Sequence, residues 1–338
     1  MNAKKIVFLH SEMKRFLRHI TLFLAVGTLL YLPAVWIIGH AGLQANVKYI
    51  PGNYGMMGLR MDELNKLCLH NTPDLLFIGS SHCYRTFDTR VYDSAGYHSF
   101  NLGSSNQTPK QTFALLSLYL QHFSPDLVVI EVHPDIMENS GDESAIDIVS
   151  NTKLFAPIRD MALSQKSLRV FNTMCCSFVE RVLHNGTIHP GDSIVNVGTQ
   201  SGDTTVFVDF KYIKGGFVEV SPYCYKPIPL KPKTIEVRDD QMEYLKLCLW
   251  LLDYHSTPYM LVEVPCTRNL YQSYTNHVDF EKKMRSLVYL DSEYLNLNED
   301  QRLTSLLDDT TCFFDDDHLN QKGVSIFNKF FIQCILSD

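Results

Sequence analysis

Several features of specialised proteins are missing from this sequence of 338 residues. The charge balance is close to even, because 37 acidic residues against 30 basic ones leave a formal net charge of -7. No run of lysine and arginine occurs after the first residues, so the sequence lacks the basic stripe of a nucleic-acid-binding protein. It also has no internal repeat and no low-complexity tract. We therefore expect an ordinary globular protein with no nucleic-acid partner.

Cysteine pairs with the spacing of a metal or redox motif are also missing. The nine cysteines are odd in number and none forms a C-x-x-C pair, so neither a zinc module nor a disulfide framework is indicated. We expect buried free thiols. The alternative is that the adjacent Cys175 and Cys176 form bridges elsewhere.

One long segment lacks charged residues altogether. There is no Asp, Glu, Lys or Arg between Arg18 and Lys48, and residues 20–38 read ITLFLAVGTLLYLPAVWII. A helix of about 20 apolar residues crosses a hydrocarbon core roughly 30 Å thick, and Pro33 is tolerated in such a helix. A cleaved signal peptide or a buried core helix is the alternative. However, the apolar stretch is long for a signal peptide, and residues 40–42 form a poor cleavage site.

Five basic residues precede this apolar segment and predict its orientation. By the positive-inside rule they keep residues 1–19 in the cytoplasm, so the chain would cross the membrane once, through residues 20–42. The remaining chain would then lie in the periplasm or outside the cell, beginning with a polar tether and a first helix in residues 43–70. The five basic residues are Lys4, Lys5, Lys14, Arg15 and Arg18.

Residues 71–338 alternate apolar runs with amphipathic patterns. Short continuous apolar runs are typical of strands that are buried on both faces. Strands of this kind separated by helices predict an α/β fold, with a doubly wound, mostly parallel sheet and helices on both of its faces. The predicted strands are residues 75–78, 127–130 and 259–264, and the predicted helices between and after them are residues 109–123, 239–255 and 323–336.

Residues 140–233 do not follow this alternation. They contain a short apolar run at 206–208, two adjacent glycines at 215–216 and a cluster of prolines at 227–232. We expect an insertion that packs over one edge of the sheet. The Lys214-Gly215-Gly216 segment lacks the strand–loop–helix context of a P-loop, so it does not indicate a nucleotide site.

A glycine and two serines follow the first predicted strand directly. In an open parallel sheet reactive groups collect at the carboxyl ends of the strands, and Gly79 permits a sharp turn that leaves a serine hydroxyl free. Ser81 is therefore the candidate nucleophile, although such turns are also common structural features. We expect the neighbouring His82 to line the crevice rather than act as the base, because adjacent side chains diverge.

An aspartate and a histidine three residues apart precede the last predicted helix. On one turn Asp315 can orient the imidazole of His318 while the other ring nitrogen faces a serine. The alternative is a solvated acidic turn that caps the helix, since residues 315–317 are all aspartate. The segment could also bind a metal, but no second ligand cluster such as H-x-x-x-H accompanies it. We expect neither a metal nor another cofactor.

The two motifs together resemble those of a known enzyme family. The order Ser, Asp, His is also that of the α/β-hydrolases, but their G-x-S-x-G elbow is absent. Gly79-Ser80-Ser81 instead resembles the first sequence block of the SGNH (GDSL-type) hydrolases. Asp315-x-x-His318, with Leu319-Asn320 and Gly323 after it, resembles their last block. The central serine and the N-terminal anchor are most similar to the membrane-anchored branch, which includes the teichoic-acid D-alanylation and alginate O-acetylation proteins.

The resemblance implies roles for individual residues. Ser81 would be the nucleophile, His318 the general base and Asp315 its orienting partner. The second block of the family supplies oxyanion donors, and residues 100–106 stand in its place. In this block Gly103 or Asn106 could serve as the donor.

The third block is where the sequence departs from the family. The family has Gly-x-Asn-Asp there, including an oxyanion asparagine, whereas this chain has Glu131-Val132-His133-Pro134-Asp135. His133 could line the site or simply end the strand. The backbone N–H of Ser81 remains a donor of the kind that such sites use.

The function implied by the resemblance is acyl transfer at the cell surface. We expect a membrane-anchored serine esterase or O-acyltransferase that acts on acyl esters, with acetyl as the expected group, of a cell-surface glycan. A membrane-bound acyltransferase is the partner that the resemblance suggests. The alternative, favoured by the missing asparagine, is a non-catalytic SGNH-like binding or scaffold subunit of an envelope polysaccharide modification complex.

Overall fold

The computed structural model describes residues 3–41, 46–50, 56–67, 72–184, 199–201, 204–206, 210–220, 225–289 and 293–335. Parts of the predicted tether and first helix, at 42–45, 51–55 and 68–71, lie outside the described residues, as do residues 207–208 of the apolar run in the insertion. Within the described part the chain has an α/β fold with a parallel central sheet, preceded by an apolar N-terminal helix.

The described elements follow one another along the chain as helices and short strands. The helices are α1 (Ala3–His40), α2 (Met57–Leu67), α3 (Ser81–Thr86), α4 (Thr89–Ser94), α5 (Pro109–Tyr119), α6 (Pro134–Glu138), α7 (Asp142–Asn151), α8 (Ala156–Ser164), α9 (Leu168–Leu183), α10 (Asp239–Tyr254), α11 (Arg268–Ser273), α12 (His277–Arg285), α13 (Gln301–Thr304) and α14 (Gln321–Ile335). The strands are β1 (Leu75–Ile78), β2 (Ser99–Asn101), β3 (Leu127–Glu131), β4 (Thr199–Ser201), β5 (Thr204–Val206), β6 (Phe210–Ile213), β7 (Phe217–Val220), β8 (Tyr259–Glu263) and β9 (Glu293–Asn296).

The central sheet has the strand order β2-β1-β3-β8-β9, and each neighbouring pair is parallel. The chain therefore winds outward from β1 to one edge, returns to β3 and continues to the other edge. In such a sheet the crevice between β1 and β3, at their carboxyl ends, is the usual place for a ligand site. The three predicted strands are confirmed as β1, β3 and β8, and they are the centre of the sheet.

Alternate residues of the strands face two separate apolar layers. On one side, Leu76 and Ile78 pack with residues of α2, α5, α7 and α10. On the other side, Leu75 and Phe77 pack with residues of α3, α4 and α14. Because both faces of the sheet are covered, the central strands β1, β3 and β8 consist mainly of consecutive apolar residues, which is the pattern that predicted them.

The insertion at 140–233 contacts both an edge and one face of the sheet, whereas the sequence predicts contact with one edge alone. Its antiparallel sheet, β4-β5-β6-β7, does meet the edge strand β2, because the N–H of Asn101 donates to the carbonyl of Gly215 at 2.7 Å. Gly216 has a φ of +96°, and a Cβ there would lie 2.1 Å from the Asn101 carbonyl oxygen. Helices α7, α8 and α9 instead add apolar side chains to the layer over one face of the sheet. Their 3.6-residue apolar period makes them part of the core.

Within α1, His10–His40 is long and apolar enough to cross a membrane, and most of its residues are exposed. A signal sequence near the N-terminus would pass the same test of length and composition. The part of α1 nearest the domain packs against α9. There the hydroxyl of Tyr31 donates to Asn172, and Nε1 of Trp36 donates to Glu180 at 2.7 Å.

The predicted polar tether is not a free linker where it is described. Val47, Tyr49 and Ile50 are buried. The N–H of Ile50 donates to the hydroxyl of Ser150 in α7 at 3.2 Å. These apolar residues therefore attach the chain to the domain shortly after α1.

The six cysteines whose side chains the structure describes are buried free thiols, as the sequence predicted. Cys175 and Cys176 are among them, and each packs under the end of α1 rather than in a bridge. The described free cysteines are Cys83, Cys175, Cys176, Cys248, Cys266 and Cys312.

Candidate active site

The turn after β1 is held by a buried glutamate at the end of β3. The backbone N–H and the hydroxyl of Ser80 both donate to Oε2 of Glu131, each at 2.7 Å. A Cβ at Gly79 would lie 2.6 Å from that oxygen, so only glycine permits this approach. Ser80 also caps α3, since its hydroxyl accepts the N–H of His82 at 3.2 Å. The turn therefore places Ser81 at the first position of α3, above the crevice between β1 and β3.

The loop before α14 is folded around one aspartate. The side chain of Asp315 accepts the N–H of His318 at 2.7 Å and the N–H of Asp317 at 3.2 Å. The carbonyl of Asp316 accepts the N–H of Thr267 at 2.9 Å, which attaches this acidic loop to the residues following β8. The loop therefore lies at the same edge of the sheet as the turn that carries Ser81.

The end of the acidic loop is fixed to the start of α14. The amide nitrogen of Asn320 donates to the carbonyls of Thr311 at 2.9 Å and Phe313 at 3.1 Å. Its oxygen accepts the N–H of Gly323 at 3.2 Å, which is the bond of a helix N-cap. A Cβ at Gly323 would lie only 2.2 Å from the carbonyl oxygen of Cys312. Asn320 and Gly323 thus have structural tasks that keep the preceding histidine in place.

The two motifs meet in the folded chain, although they lie 237 residues apart. Nε2 of His318 is 2.8 Å from the hydroxyl oxygen of Ser81. Nδ1 of the same ring is 2.9 Å and 3.0 Å from the two carboxylate oxygens of Asp315. A serine, an imidazole and a carboxylate connected in this order can transfer the serine proton to the ring. The side chain of His318 is 12 % exposed, so the imidazole is sheltered but still reaches the surface.

A second carboxylate, which was predicted only as part of an acidic turn, also contacts this imidazole. Asp317 lies 2.7 Å from Nδ1 of His318 and 3.2 Å from Nε2 of His82. Burial by itself lowers the pKa of His318, but the charge of Asp317 and the bond to Asp315 outweigh it and raise the pKa to about 9. Burial likewise opposes ionisation of Asp317, yet the two imidazoles hold the pKa of its carboxyl well below the usual range.

Three imidazole rings are stacked beside the triad. The ring of His82 lies between those of His133 and His318, at centroid distances of 4.1 Å and 4.7 Å. The ring planes are nearly parallel, with interplanar angles of 10° to His133 and 6° to His318. Nδ1 of His82 is 2.8 Å from the hydroxyl of Ser80, not of Ser81. His82 therefore connects the Ser80 turn to Asp317 and forms one wall of the crevice.

His133 is a buried ring with one unused nitrogen. Its Nδ1 accepts the N–H of Asp135 at 3.3 Å, so in the neutral ring the proton is on Nε2. Burial, followed by the neighbouring His82, lowers the pKa of His133 well below the usual value, which keeps the ring neutral. Among the described residues Nε2 has no hydrogen-bond partner. The N–H on Nε2 is thus a free donor, at the position where the resemblance expects an asparagine.

Gly103 and Asn106, the other predicted donors, are engaged within the protein. The N–H of Gly103 donates to the side chain of Asn101 at 3.2 Å. The amide of Asn106 donates to Glu143 at 2.6 Å. Asn106 has a φ of +51°, a conformation that asparagine tolerates better than most residues and that explains its presence where the family has glycine. The loop adjoins the turn that carries Ser81, since the N–H of Ser104 donates to the carbonyl of Gly79 at 3.1 Å. The N–H of Gly103 and one amide N–H of Asn106 already have acceptors.

One group of described residues could hold a metal ion. The ligand atoms of His82, Asp317 and His318 lie within 4.8 Å of one another. The sequence did not suggest this set, because His82 comes from the first motif and the other two come from the last. A zinc ion there would compete with the proton on the imidazole that faces Ser81, so metal binding and serine chemistry are alternatives at this site.

No protein-family model matches the chain, and no curated protein sequence matches it. The function is therefore argued from the geometry of the site.

Proposed function

We propose that this protein is a membrane-anchored serine esterase or O-acyltransferase of the SGNH type. The contact of 2.8 Å between Ser81 and His318 carries the proposal. Two segments from opposite ends of the domain form this contact at the carboxyl edge of the sheet, where the winding direction reverses. Helix α1 is the uncleaved anchor in this proposal, with its N-terminus in the cytoplasm and the domain in the periplasm or outside the cell.

The reaction proceeds through an acyl-enzyme. The Ser81 oxygen attacks the carbonyl carbon of the ester while Nε2 of His318 accepts the hydroxyl proton. The bond between that carbon and the alcohol oxygen then breaks, and the imidazolium returns the proton to the departing alcohol. Water or a second sugar hydroxyl next attacks the acyl-serine, again with His318 as the base, and regenerates Ser81. Asp315 keeps Nδ1 protonated throughout, which directs the basic nitrogen toward the serine.

Two donors are proposed to stabilise the charge that develops on the carbonyl oxygen. The backbone N–H of Ser81 lies in the first turn of α3, where a helix offers it no partner of its own. The Nε2–H of His133 is proposed as the second, because the ring stacks on His82 beside His318, is neutral, and leaves Nε2 without a partner among the described residues. A donor of this kind contributes about 3 kcal/mol to the stability of a transition state.

The substrate proposed is an acylated glycan at the cell surface, with acetyl as the acyl group. It is supported by the resemblance in the motifs and by the apolar helix, which would hold the site close to a membrane. A membrane-bound acyltransferase that supplies the acyl group is the partner we propose on the same grounds.

A binding or scaffold role is the competing proposal, since no asparagine side chain takes the oxyanion position at the end of β3. A fluorophosphonate probe separates the two. An enzyme is expected to be labelled on Ser81, and Ser81→Ala should abolish the labelling. Ser305→Ala, which changes an exposed serine, is the control and should not alter it. An intact protein that takes up no label while purified and folded would support the scaffold instead.

The rate of this labelling is expected to rise with pH up to about 9. His318 must be neutral to accept the serine proton, and its pKa is raised to about 9, so the active form accumulates as pH increases through that value. Asp317→Asn removes the largest of the influences that raise this pKa. The variant should therefore reach its full labelling rate at a lower pH than the unmodified protein. If the pH profile of Asp317→Asn is the same as that of the unmodified protein, Asp317 does not raise the pKa of His318.

A further inference from the structure

Helix α9 buries several polar side chains beside Val170, Cys175 and Cys176, and it exposes large apolar ones. Helices of soluble domains bury their apolar face and expose their polar one. In α9 the buried face includes four polar residues, whereas large apolar side chains point outward, among them Phe178 at 50 % and Val182 at 62 % exposed. The buried polar residues are Asn172, Thr173, Ser177 and Glu180, and the exposed apolar residues are Leu168, Phe171, Phe178, Val182 and Leu183.

The inward polar groups are bonded, so this orientation of α9 is specific. The amide of Asn172 donates to the carbonyl of Asn46 at 2.9 Å. The hydroxyl of Ser177 donates to the carbonyl of Val149 at 2.6 Å. Rotating the helix to bury its apolar face would leave these groups without partners, at a large cost in stability. The sequence therefore favours an environment in which the exposed face of α9 is not in water.

The apolar face continues from α9 onto neighbouring residues. Phe155, at the start of α8, and Leu163, near its end, are both exposed. Together with the five exposed residues of α9 they make up half of the large exposed apolar side chains that the structure describes outside α1. These residues belong to two helices that pack against each other, and soluble monomers rarely expose large apolar patches.

This surface is also continuous with α1. Residues 31–40 of α1 lie against α9, and they include the end of the apolar stretch expected to cross the membrane. Val35 is buried in this contact, while Ile37 on the same turn of α1 is exposed. At about 1.5 Å per residue, ten residues of helix run beside α9 for roughly 15 Å. If α1 is in the bilayer, much of α9 is at the level of the nearer leaflet.

We propose that this lipid face, formed by Phe155, Leu163 and the five exposed residues of α9, is immersed in the acyl chains of the leaflet from which α1 emerges. The domain would then rest on the membrane through a second element in addition to its anchor, with the active site in a fixed orientation to the surface. The inference rests on the proposed anchoring by α1 and not on the chemistry of Ser81.

Tryptophan fluorescence in vesicles tests the lipid face, because the chain has only two tryptophans. The full-length protein is reconstituted in phosphatidylcholine–phosphatidylglycerol vesicles, with or without lipids brominated on the acyl chains, which quench only nearby tryptophans. In the Trp250→Phe variant Trp36 is the one remaining tryptophan, and its emission reports on the anchor. Phe178→Trp in that background adds one tryptophan on the lipid face. Trp250 of the unmodified protein, exposed on α10, is the matched control.

We expect brominated lipid to remove most of the emission added by Phe178→Trp, and aqueous iodide to leave it unchanged. Trp250 should show the opposite pattern. Quenching of the added tryptophan by iodide would overturn the proposal by placing that face in water. Protection from both quenchers would also overturn it, because another protein or a second copy would then cover the face. If brominated lipid fails to quench Trp36, the proposed membrane anchoring by α1 is wrong. Fluorophosphonate labelling of the same samples reports independently on Ser81.

Discussion

His318→Ala is expected to slow the hydrolysis of an activated acetyl ester by roughly 10³-fold or more. The imidazole is the group that lies within hydrogen-bond distance of the Ser81 hydroxyl, at 2.8 Å, and an alanine leaves that proton with no acceptor. The measurement is kcat/KM with p-nitrophenyl acetate, with unchanged thermal unfolding as proof of an intact fold. His255→Ala, which changes an exposed histidine at the end of α10, is the matched control and should keep full activity.

The two carboxylates beside His318 should respond differently from the imidazole. Asp315 and Asp317 both approach Nδ1, at 2.9 Å and 2.7 Å, so either can orient the ring when the other is removed. We therefore expect a smaller loss from Asp315→Asn alone than from His318→Ala, and a larger one when both aspartates are changed. Full activity in His318→Ala would show that His318 is not the general base.

Gly323→Ala is expected to produce the largest effect on stability among changes near the site. The new Cβ would lie 2.2 Å from the carbonyl oxygen of Cys312, and that oxygen belongs to backbone rather than to a mobile side chain. Either α14 or the acidic loop must move, at a cost of about 1–3 kcal/mol in the free energy of unfolding. Because the loop also carries His318, labelling of Ser81 should slow at temperatures where the variant is still folded.

Denaturant unfolding of the detergent-solubilised protein measures the stability change. Gly27→Ala is the control, since nothing lies within 4 Å of the added Cβ at that position in α1. A Gly323→Ala variant with the stability and the labelling rate of the unmodified protein would show that the close contact between α14 and the acidic loop is not required.

The centre of the fold was predictable because its signal is local. The strands β1, β3 and β8 are buried on both faces, so each is a short apolar run, and their parallel pairing follows from the helices between them. The edge strand β2 was missed for the opposite reason. Its residues 99–101 include a serine and an asparagine, and its partner on the outer side is the insertion rather than another apolar strand.

The site residues that could be predicted are those whose side-chain type and spacing in the sequence already indicate a chemical role. Ser81, Asp315 and His318 lie in motifs whose spacing already suggests their tasks, and the structure brings these three together. Glu131 was missed as the residue that holds the nucleophile turn. A carboxylate directly after an apolar strand was the available signal, but its partner, Ser80, becomes visible only when β1 and β3 pair.

Contacts between distant segments account for the other differences. Asp317 became a partner of the base because His82, from the first motif, approaches its second oxygen. Of the two predicted donors, Asn106 gives one amide N–H to Glu143, which lies in the insertion, whereas Gly103 gives its N–H to the nearby Asn101. The pairings of Asp317 with His82 and of Asn106 with Glu143 depend on the order of the strands and the path of the insertion, which no local pattern specifies.

Trapping the acyl-enzyme tests the central claim most directly. The protein is mixed with p-nitrophenyl acetate near pH 9, quenched in acid within the first turnover and digested, and the peptides are analysed by tandem mass spectrometry. We expect one acetyl group on the hydroxyl of Ser81, absent from Ser81→Ala and strongly reduced in His318→Ala. A Ser81 peptide that stays unmodified while the ester is consumed at the same rate by Ser81→Ala would contradict the claim.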